Sequence, residues 1–288
     1  MSQARAHSSI GLSEGADFAV SGYRGMHLGP ASVGGGPRTL LLHGFTGLAE
    51  DWLDCWPRDH PALALDLPGH GGSAVPHGGF DAALRGLLEA LPASVEQGVG
   101  YSLGGRVALG LLRLAPERFG RVVILSAHPG LSGPLERQRR RSDDRRWIGL
   151  LERQGIAAFV DAWERLPLFA TQTRVPAGRL AQQRRRRLGQ RADALAASLR
   201  VQGLAEMPDM RLVIARAPAS LHWIAGLDDW RFSALALLAA RARPSIACHL
   251  LPGVGHNPLL EAPDNLCRCL RKILAARVGG TSVCHGDR

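Results

Sequence analysis

Gly98-Val99-Gly100-Tyr101-Ser102-Leu103-Gly104-Gly105-Arg106 decides the fold. It reads as a short apolar strand ending in G-x-S-x-G, followed by a helical run from Val107 to Leu114. A serine there sits on a strained strand-to-helix turn with its hydroxyl at the tip. The glycines two before and two after keep side chains out of the crowded turn. An ordinary glycine-rich turn would look the same over five residues, so the flanking chain has to decide.

Upstream, Thr39-Leu40-Leu41-Leu42 and Ala62-Leu63-Ala64-Leu65 are apolar throughout. The first runs into His43-Gly44-Phe45-Thr46-Gly47, the second into Asp66-Leu67-Pro68-Gly69-His70-Gly71-Gly72-Ser73. Phe80, Leu84, Leu87, Leu88 and Leu91 make a helical stripe closed by Pro92. Downstream of the elbow lies Val122-Val123-Ile124-Leu125. Strands that are apolar on both faces and alternate with helices predict an α/β fold with a mostly parallel, doubly wound sheet.

The alternation stops at His128-Pro129-Gly130. From 131 to 216 the patterns are helical only, around Glu136 to Glu152, Ile156 to Glu164 and between Pro176 and Leu204. Strands resume at Leu221-His222-Trp223-Ile224-Ala225 and Ile246 to Leu251, and a last helix lies near Asn265 to Ala276. The expected organisation is a flexible extension over 1–37 with one strand signal at Tyr23 to Leu28. A core then spans 38–130 and 217–276, with a helical cap at 131–216 over the strand ends and a tail at 277–288.

The 288 residues carry a net charge of +10, and its location matters more than its size. Residues 131–216 hold eighteen Arg against nine Asp and Glu, a net of +9, whereas residues 1–130 hold nine Arg against eleven acids, a net of −2. Aromatic residues are only 5% of the chain, with no stacking platform, which argues against nucleic acid as partner. Residues 1–20 have no continuous apolar stretch and no later run has membrane-spanning length, so a cytoplasmic protein without a membrane partner is expected. The five cysteines lack zinc-ligand spacing and read as free thiols, and no metal site is expected.

A serine hydroxyl needs a histidine to take its proton and a carboxylate to orient that histidine. Both occur at later strand ends. Gly226-Leu227-Asp228-Asp229 follows one strand and Pro252-Gly253-Val254-Gly255-His256-Asn257 follows the last. Ser102, Asp229 or Asp228, and His256 are the candidate catalytic set. Either aspartate would also serve as a helix cap. Anion stabilisation would come from the N–H of Leu103, after the nucleophile, and that of Phe45, in the loop after the first clear strand.

These motifs, over about Thr39 to Ala276, resemble the α/β-hydrolase superfamily. A narrower set is similar to the 2-succinyl-6-hydroxy-2,4-cyclohexadiene-1-carboxylate synthase family of menaquinone biosynthesis: the loops starting at His43 and Asp66, Gly100-Tyr101-Ser102-Leu103-Gly104-Gly105-Arg106, His128-Pro129-Gly130-Leu131, Leu195-Ala196-Ala197-Ser198-Leu199 and Gly255-His256-Asn257. The resemblance implies a lyase on a hydrolase scaffold. It would eliminate pyruvate from an enolpyruvyl cyclohexene with three carboxylates, using no metal or cofactor and acting as a monomer on a small molecule. It also implies Asp229 over Asp228, from a Gly-x-x-Asp pattern, and substrate binding by Arg106, Arg140 and Arg187 with Tyr101 and Trp163.

Arg140 follows from an ungapped count from His128, which also aligns Trp147 and Trp163, and Arg187 from counting back from Leu195. Their neighbours in Arg139 to Arg141 and Arg184 to Arg187 are open alternatives, and Arg140 with Asp144 also suits a surface i,i+4 pair. The chain departs from the family pattern at Trp230 and in its N-terminal extension. The competing enzyme is a serine esterase or C–C hydrolase forming an acyl-Ser102 on a small carboxylated substrate. The basic cap speaks against it.

Overall fold

Residues 17–30 and 36–276 are described by the structure, a computed structural model. Eight strands form one sheet: β1 (Asp17–Val20), β2 (Tyr23–Leu28), β3 (Thr39–Leu42), β4 (Ala62–Leu65), β5 (Gln97–Tyr101), β6 (Arg121–Leu125), β7 (Ser220–Gly226) and β8 (Ala247–Leu251). The order is β1-β2-β4-β3-β5-β6-β7-β8, parallel from β4 through β8 and antiparallel where β2 joins β1 and β4. This is the expected doubly wound, mostly parallel α/β sheet.

Alternate residues of the central strands feed two cores. Leu40, Leu42, Leu63, Leu65, Val122 and Ile124 face one cluster, whereas Leu41, Ala62, Ala64, Val123 and Leu125 face the other. The first is covered by α1 (Phe80–Ala90), α2 (Leu103–Leu114), α6 (Arg211–Arg216) and α7 (Trp230–Ala242). The second is covered by the 3-10 turn Ala49–Trp52, α8 (Pro258–Glu261) and α9 (Pro263–Ala275). Each fully buried leucine contributes about 1.5–3 kcal/mol by leaving water, which is why these strands carry no polar alternation.

The N-terminal stretch differs from the loose extension expected over 1–37. β1 and β2 form a hairpin whose two-residue turn, Ser21-Gly22, has positive φ at both positions, 49° and 83°. That turn matches the twist of paired strands, and β2 docks on β4 from Gly25↔Leu65 to Leu28↔Ala62. Residues 1–16 and 31–35, and the tail at 277–288, lie outside the described residues.

Between β6 and β7 the chain inserts α3 (Pro134–Glu164), the 3-10 segment Pro167–Arg174, α4 (Ala177–Leu188), α5 (Ala192–Gln202) and α6. α3 is broken at Gly155, where φ is 78° and ψ −175°, which splits it into the two helices read from the sequence. The insertion has an apolar cluster of its own, with Leu151, Phe159, Val160, Leu195 and Leu199. It is tied to the sheet's loops by buried amides: Gln202 donates to Pro68 O at 3.0 Å, and Gln190 donates to Gly47 O at 3.1 Å while accepting Gly71 N–H at 2.9 Å. These bonds hold the inserted helices over the C-terminal ends of β3, β4 and β5.

Candidate active site

Ser102 sits between β5 and α2 at φ 51°, ψ −104°, a region a residue with a side chain rarely adopts. Its N–H donates to Leu125 O at 2.8 Å, so β6 anchors the turn. The two motif glycines are required by close packing. A Cβ on Gly100 would lie 2.2 Å from Gly104 O, and one on Gly104 would lie 2.1 Å from Leu42 O.

His256, buried in the loop after β8, spans the gap between Ser102 and Asp229. Its Nδ1 is 2.7 Å from Asp229 Oδ2 and its Nε2 is 3.3 Å from Ser102 Oγ. A carboxylate at Nδ1 keeps the ring proton there and leaves the Nε2 lone pair facing the hydroxyl. Asp229 also accepts Phe232 N–H at 3.3 Å, so it caps α7 while holding the histidine. Asp228 points elsewhere, pairing with Arg174 at 2.7 Å. Phe232 and Tyr101 pack beside the imidazole, with ring centroids 4.5 and 5.6 Å away.

The loop carrying Phe45 is fixed by two buried histidines. His43 donates from Nδ1 to Gly44 O at 2.7 Å and accepts Leu67 N–H at Nε2, 2.9 Å away. His70 accepts Thr46 N–H at Nε2, 3.2 Å away, with Nδ1 near Pro68 O. Burial lowers the pKa of both rings, His70 well below the ordinary value, which suits two neutral rings that each accept a backbone N–H. Leu103 opens α2, so its N–H has no carbonyl of its own helix to meet, and Phe45 lies beyond the end of β3. Both residues border the same cavity as Ser102.

That cavity, about 950 Å³ with its mouth included, lies between the strand ends and the insertion. Tyr101, Ser102, Arg106, Arg140, Trp163, Arg187 and His256 all line it. Trp147 stands one layer back, 5.1 Å from the Trp163 ring.

The open choices among neighbouring arginines are resolved by their partners. Arg137 caps the carbonyls of Leu131, Ala205 and Met207, and Arg141 pairs with Glu206. Arg140 reaches the cavity while pairing with Asp144 at 2.9 Å, so the i,i+4 pair and the cavity position hold together. Arg184 turns to Asp161 and Glu164, whereas both Arg186 and Arg187 border the cavity. Arg187 is buried against Glu164 at 3.1 Å and lies over the Phe169 ring at 5.4 Å.

Arg106 differs from these. It is 9% exposed, its Nη1 donates to Gln202 O at 2.7 Å, and no ion pair joins it to a carboxylate among the described residues. Burial, then the charge of Arg140, pulls its pKa down to about 9. The Asp144 carboxylate opposes this only in part, since it is paired with Arg140, and a buried cation without an ion pair of its own favours an anion beside it.

Sequence reasoning missed His128, Asp51, Phe169 and Phe232 as cavity residues, whereas Arg186 was among its open alternatives. His128 follows β6 in the His-Pro-Gly motif, the one signal available. Its Nδ1 accepts Gly130 N–H at 3.1 Å, which leaves its ring proton on Nε2. Burial, with Arg231, Arg106 and Arg140 nearby, lowers it to about 4, so it is neutral at pH 7.

Residues 39–268 match the model of the alpha/beta hydrolase family. The chain is 32% identical over 250 residues to 2-succinyl-6-hydroxy-2,4-cyclohexadiene-1-carboxylate synthase of Enterobacter sp. (strain 638), covering 85% of this chain and 94% of that one. It is 34% identical over 251 residues to the synthase of the same name from Salmonella agona (strain SL483), with 83% and 94% covered. Among solved structures it is similar to MenH from S. aureus, with TM-score 0.78, 26% identity, and 88% of this chain and 98% of that chain covered.

Proposed function

The chain belongs to the alpha/beta hydrolase family and, within it, to the 2-succinyl-6-hydroxy-2,4-cyclohexadiene-1-carboxylate synthases, carbon–oxygen lyases of menaquinone biosynthesis, and we propose that Ser102, His256 and Asp229 are the base of its elimination. The substrate is 2-succinyl-5-enolpyruvyl-6-hydroxy-3-cyclohexene-1-carboxylate. His256 Nε2 draws the Ser102 proton, and Ser102 Oγ takes the ring hydrogen alpha to the succinyl ketone. The electrons of that C–H bond pass first to the ketone oxygen, which the N–H groups of Phe45 and Leu103 stabilise. They then form a ring double bond at the deprotonated carbon as the existing ring double bond shifts by one position and the C–O bond to the enolpyruvyl group breaks. The enolate of pyruvate that leaves takes a proton from solvent, and His256 releases its proton to solvent, which restores the base. Asp229 holds the imidazole and stabilises its protonated form. No acyl-enzyme forms.

The observation that carries this assignment is Arg106: a buried guanidinium that no carboxylate pairs with among the described residues, in one cavity with Arg140, Arg187 and Ser102. Three carboxylates brought together repel one another unless cations meet them, and guanidinium meets carboxylate with two parallel hydrogen bonds. We assign one substrate carboxylate to each of these arginines, and Tyr101 and Trp163 to the faces of the ring. Among the described residues no helix is long and apolar enough to cross a membrane. The reading extends to a cytoplasmic monomer that works on a small molecule without nucleic acid or a membrane surface.

The test is pyruvate release from the enolpyruvyl substrate by wild type and by Ser102→Ala. Release that the substitution abolishes is expected. An absence of release, with burst acylation by an activated ester, would make Ser102 an acyl-transfer nucleophile of an esterase instead.

A further inference from the structure

β8 ends at Leu251, so His256 is carried on a loop that no strand ladder holds. Asp228 N–H donates to Val254 O at 2.9 Å and Asp229 holds the ring, but the backbone on both sides of the histidine is bound by one carboxylate. Glu261 Oε2 accepts the N–H of Gly255 at 2.7 Å, and Glu261 Oε1 accepts the N–H of Asn257 at 3.0 Å. The two residues flanking the histidine thus hang from the two oxygens of one side chain. Glu261 is itself fixed, because its own N–H donates to Asn257 O at 2.9 Å and Asn257 Oδ1 accepts Leu260 N–H at 3.3 Å, closing the short turn of α8. On the other side the loop is pressed against the insertion: a Cβ on Gly255 would lie 1.9 Å from Thr171 Oγ1.

We propose that Glu261 is a positioning residue for the elimination: it clamps the backbone on both sides of His256 and so holds the imidazole in line with Ser102. This rests on His256 being the proton acceptor proposed above. Charge-assisted hydrogen bonds from backbone N–H to carboxylate are about twice as strong as neutral ones. Two of them, one on each side of the histidine, restrict the loop more than packing alone. The other ionisable groups around the imidazole are Asp229 from the end of β7, Ser102 and Tyr101 from β5, and, across the cavity, Arg187 of α4 and Asp51 after β3.

The experiment follows covalent labelling of Ser102 by a fluorophosphonate, read by intact mass at pH 5 to 9, because Ser102 reactivity reports His256 whatever the natural substrate. Wild-type labelling should reach a plateau within this range. Glu261→Gln keeps the shape but turns an amide N–H₂ toward a backbone N–H, so one of the two clamping bonds is lost. Its plateau rate should fall about tenfold, and KM for the lyase reaction should stay within about twofold. Glu261→Asp keeps both acceptor oxygens but is one methylene shorter, so it should lose plateau rate as well.

A Glu261→Gln enzyme with a wild-type plateau overturns the proposal. If that variant does not fold, a folded Glu261→Asp enzyme with wild-type plateau overturns it equally. Wild type that fails to label removes the Ser102–His256 premise itself, a result distinct from either.

Discussion

His43 and His70 stand edge to face, with ring centroids 4.9 Å apart, and each accepts a backbone N–H at Nε2. Protonation of either ring would set two donors against each other in a buried site. Their folded pKa values lie below the ordinary 6.5, so the unfolded chain binds protons that the folded chain refuses. Their contribution is complete above pH 6.5 and is lost as pH falls below it, by up to about 1.4 kcal/mol per pH unit for each ring. His128 and His222, both near 4, act with the same sign. Urea unfolding at pH 7.5, 6.5 and 5.5 should show this decline, and His70→Gln, which keeps an acceptor at the same place, should flatten it.

Asp229 meets His256 whereas Asp228 meets Arg174 across the mouth of the site. Asp229→Asn should lower kcat by about 10³ to 10⁴, as loss of the orienting carboxylate does elsewhere. Asp228→Asn removes a half-exposed ion pair and should stay within about threefold of wild type. Steady-state pyruvate release on both variants decides it, and the reverse order of effects would reassign the carboxylate.

Burial of Arg106, the proposed carboxylate-binding group, opposes folding. Arg106→Met should raise the melting temperature, because it removes a desolvated cation, while lowering kcat/KM about 10- to 100-fold through loss of a charge-assisted pair. Paired thermal melts and initial rates test this. A variant that loses both stability and activity would show that Arg106 mainly supports the insertion through Gln202.

Gly104→Ala should destabilise the protein by more than about 2 kcal/mol, since its Cβ would lie 2.1 Å from Leu42 O and 2.7 Å from His43 O. Gly98→Ala is the control. Its Cβ would meet only the Ala108 side chain, at 3.9 Å, and chemical denaturation should find it close to wild type.

Periodicity made much of this protein legible. The apolar strands and the elbow at Ser102 follow from residue types at short spacing, because burial and turn geometry act locally, and an aspartate and His256 after later strands follow from chain order; Asp229 over Asp228 came from the resemblance. The N-terminal hairpin was harder to see, since β1 is four residues with a single buried side chain, though Ser21-Gly22 marked its turn. Tertiary structure alone decided which members of the arginine runs reach the cavity. Helices put neighbouring residues on different faces, and only the carboxylates and carbonyls brought up by other elements divert Arg137, Arg141 and Arg184 and leave Arg140, Arg186 and Arg187 bordering the cavity. It alone also joined Glu261 to the backbone around His256 and left Arg106 without an ion pair, because which charges come together is a property of packed space and has no spacing in a sequence.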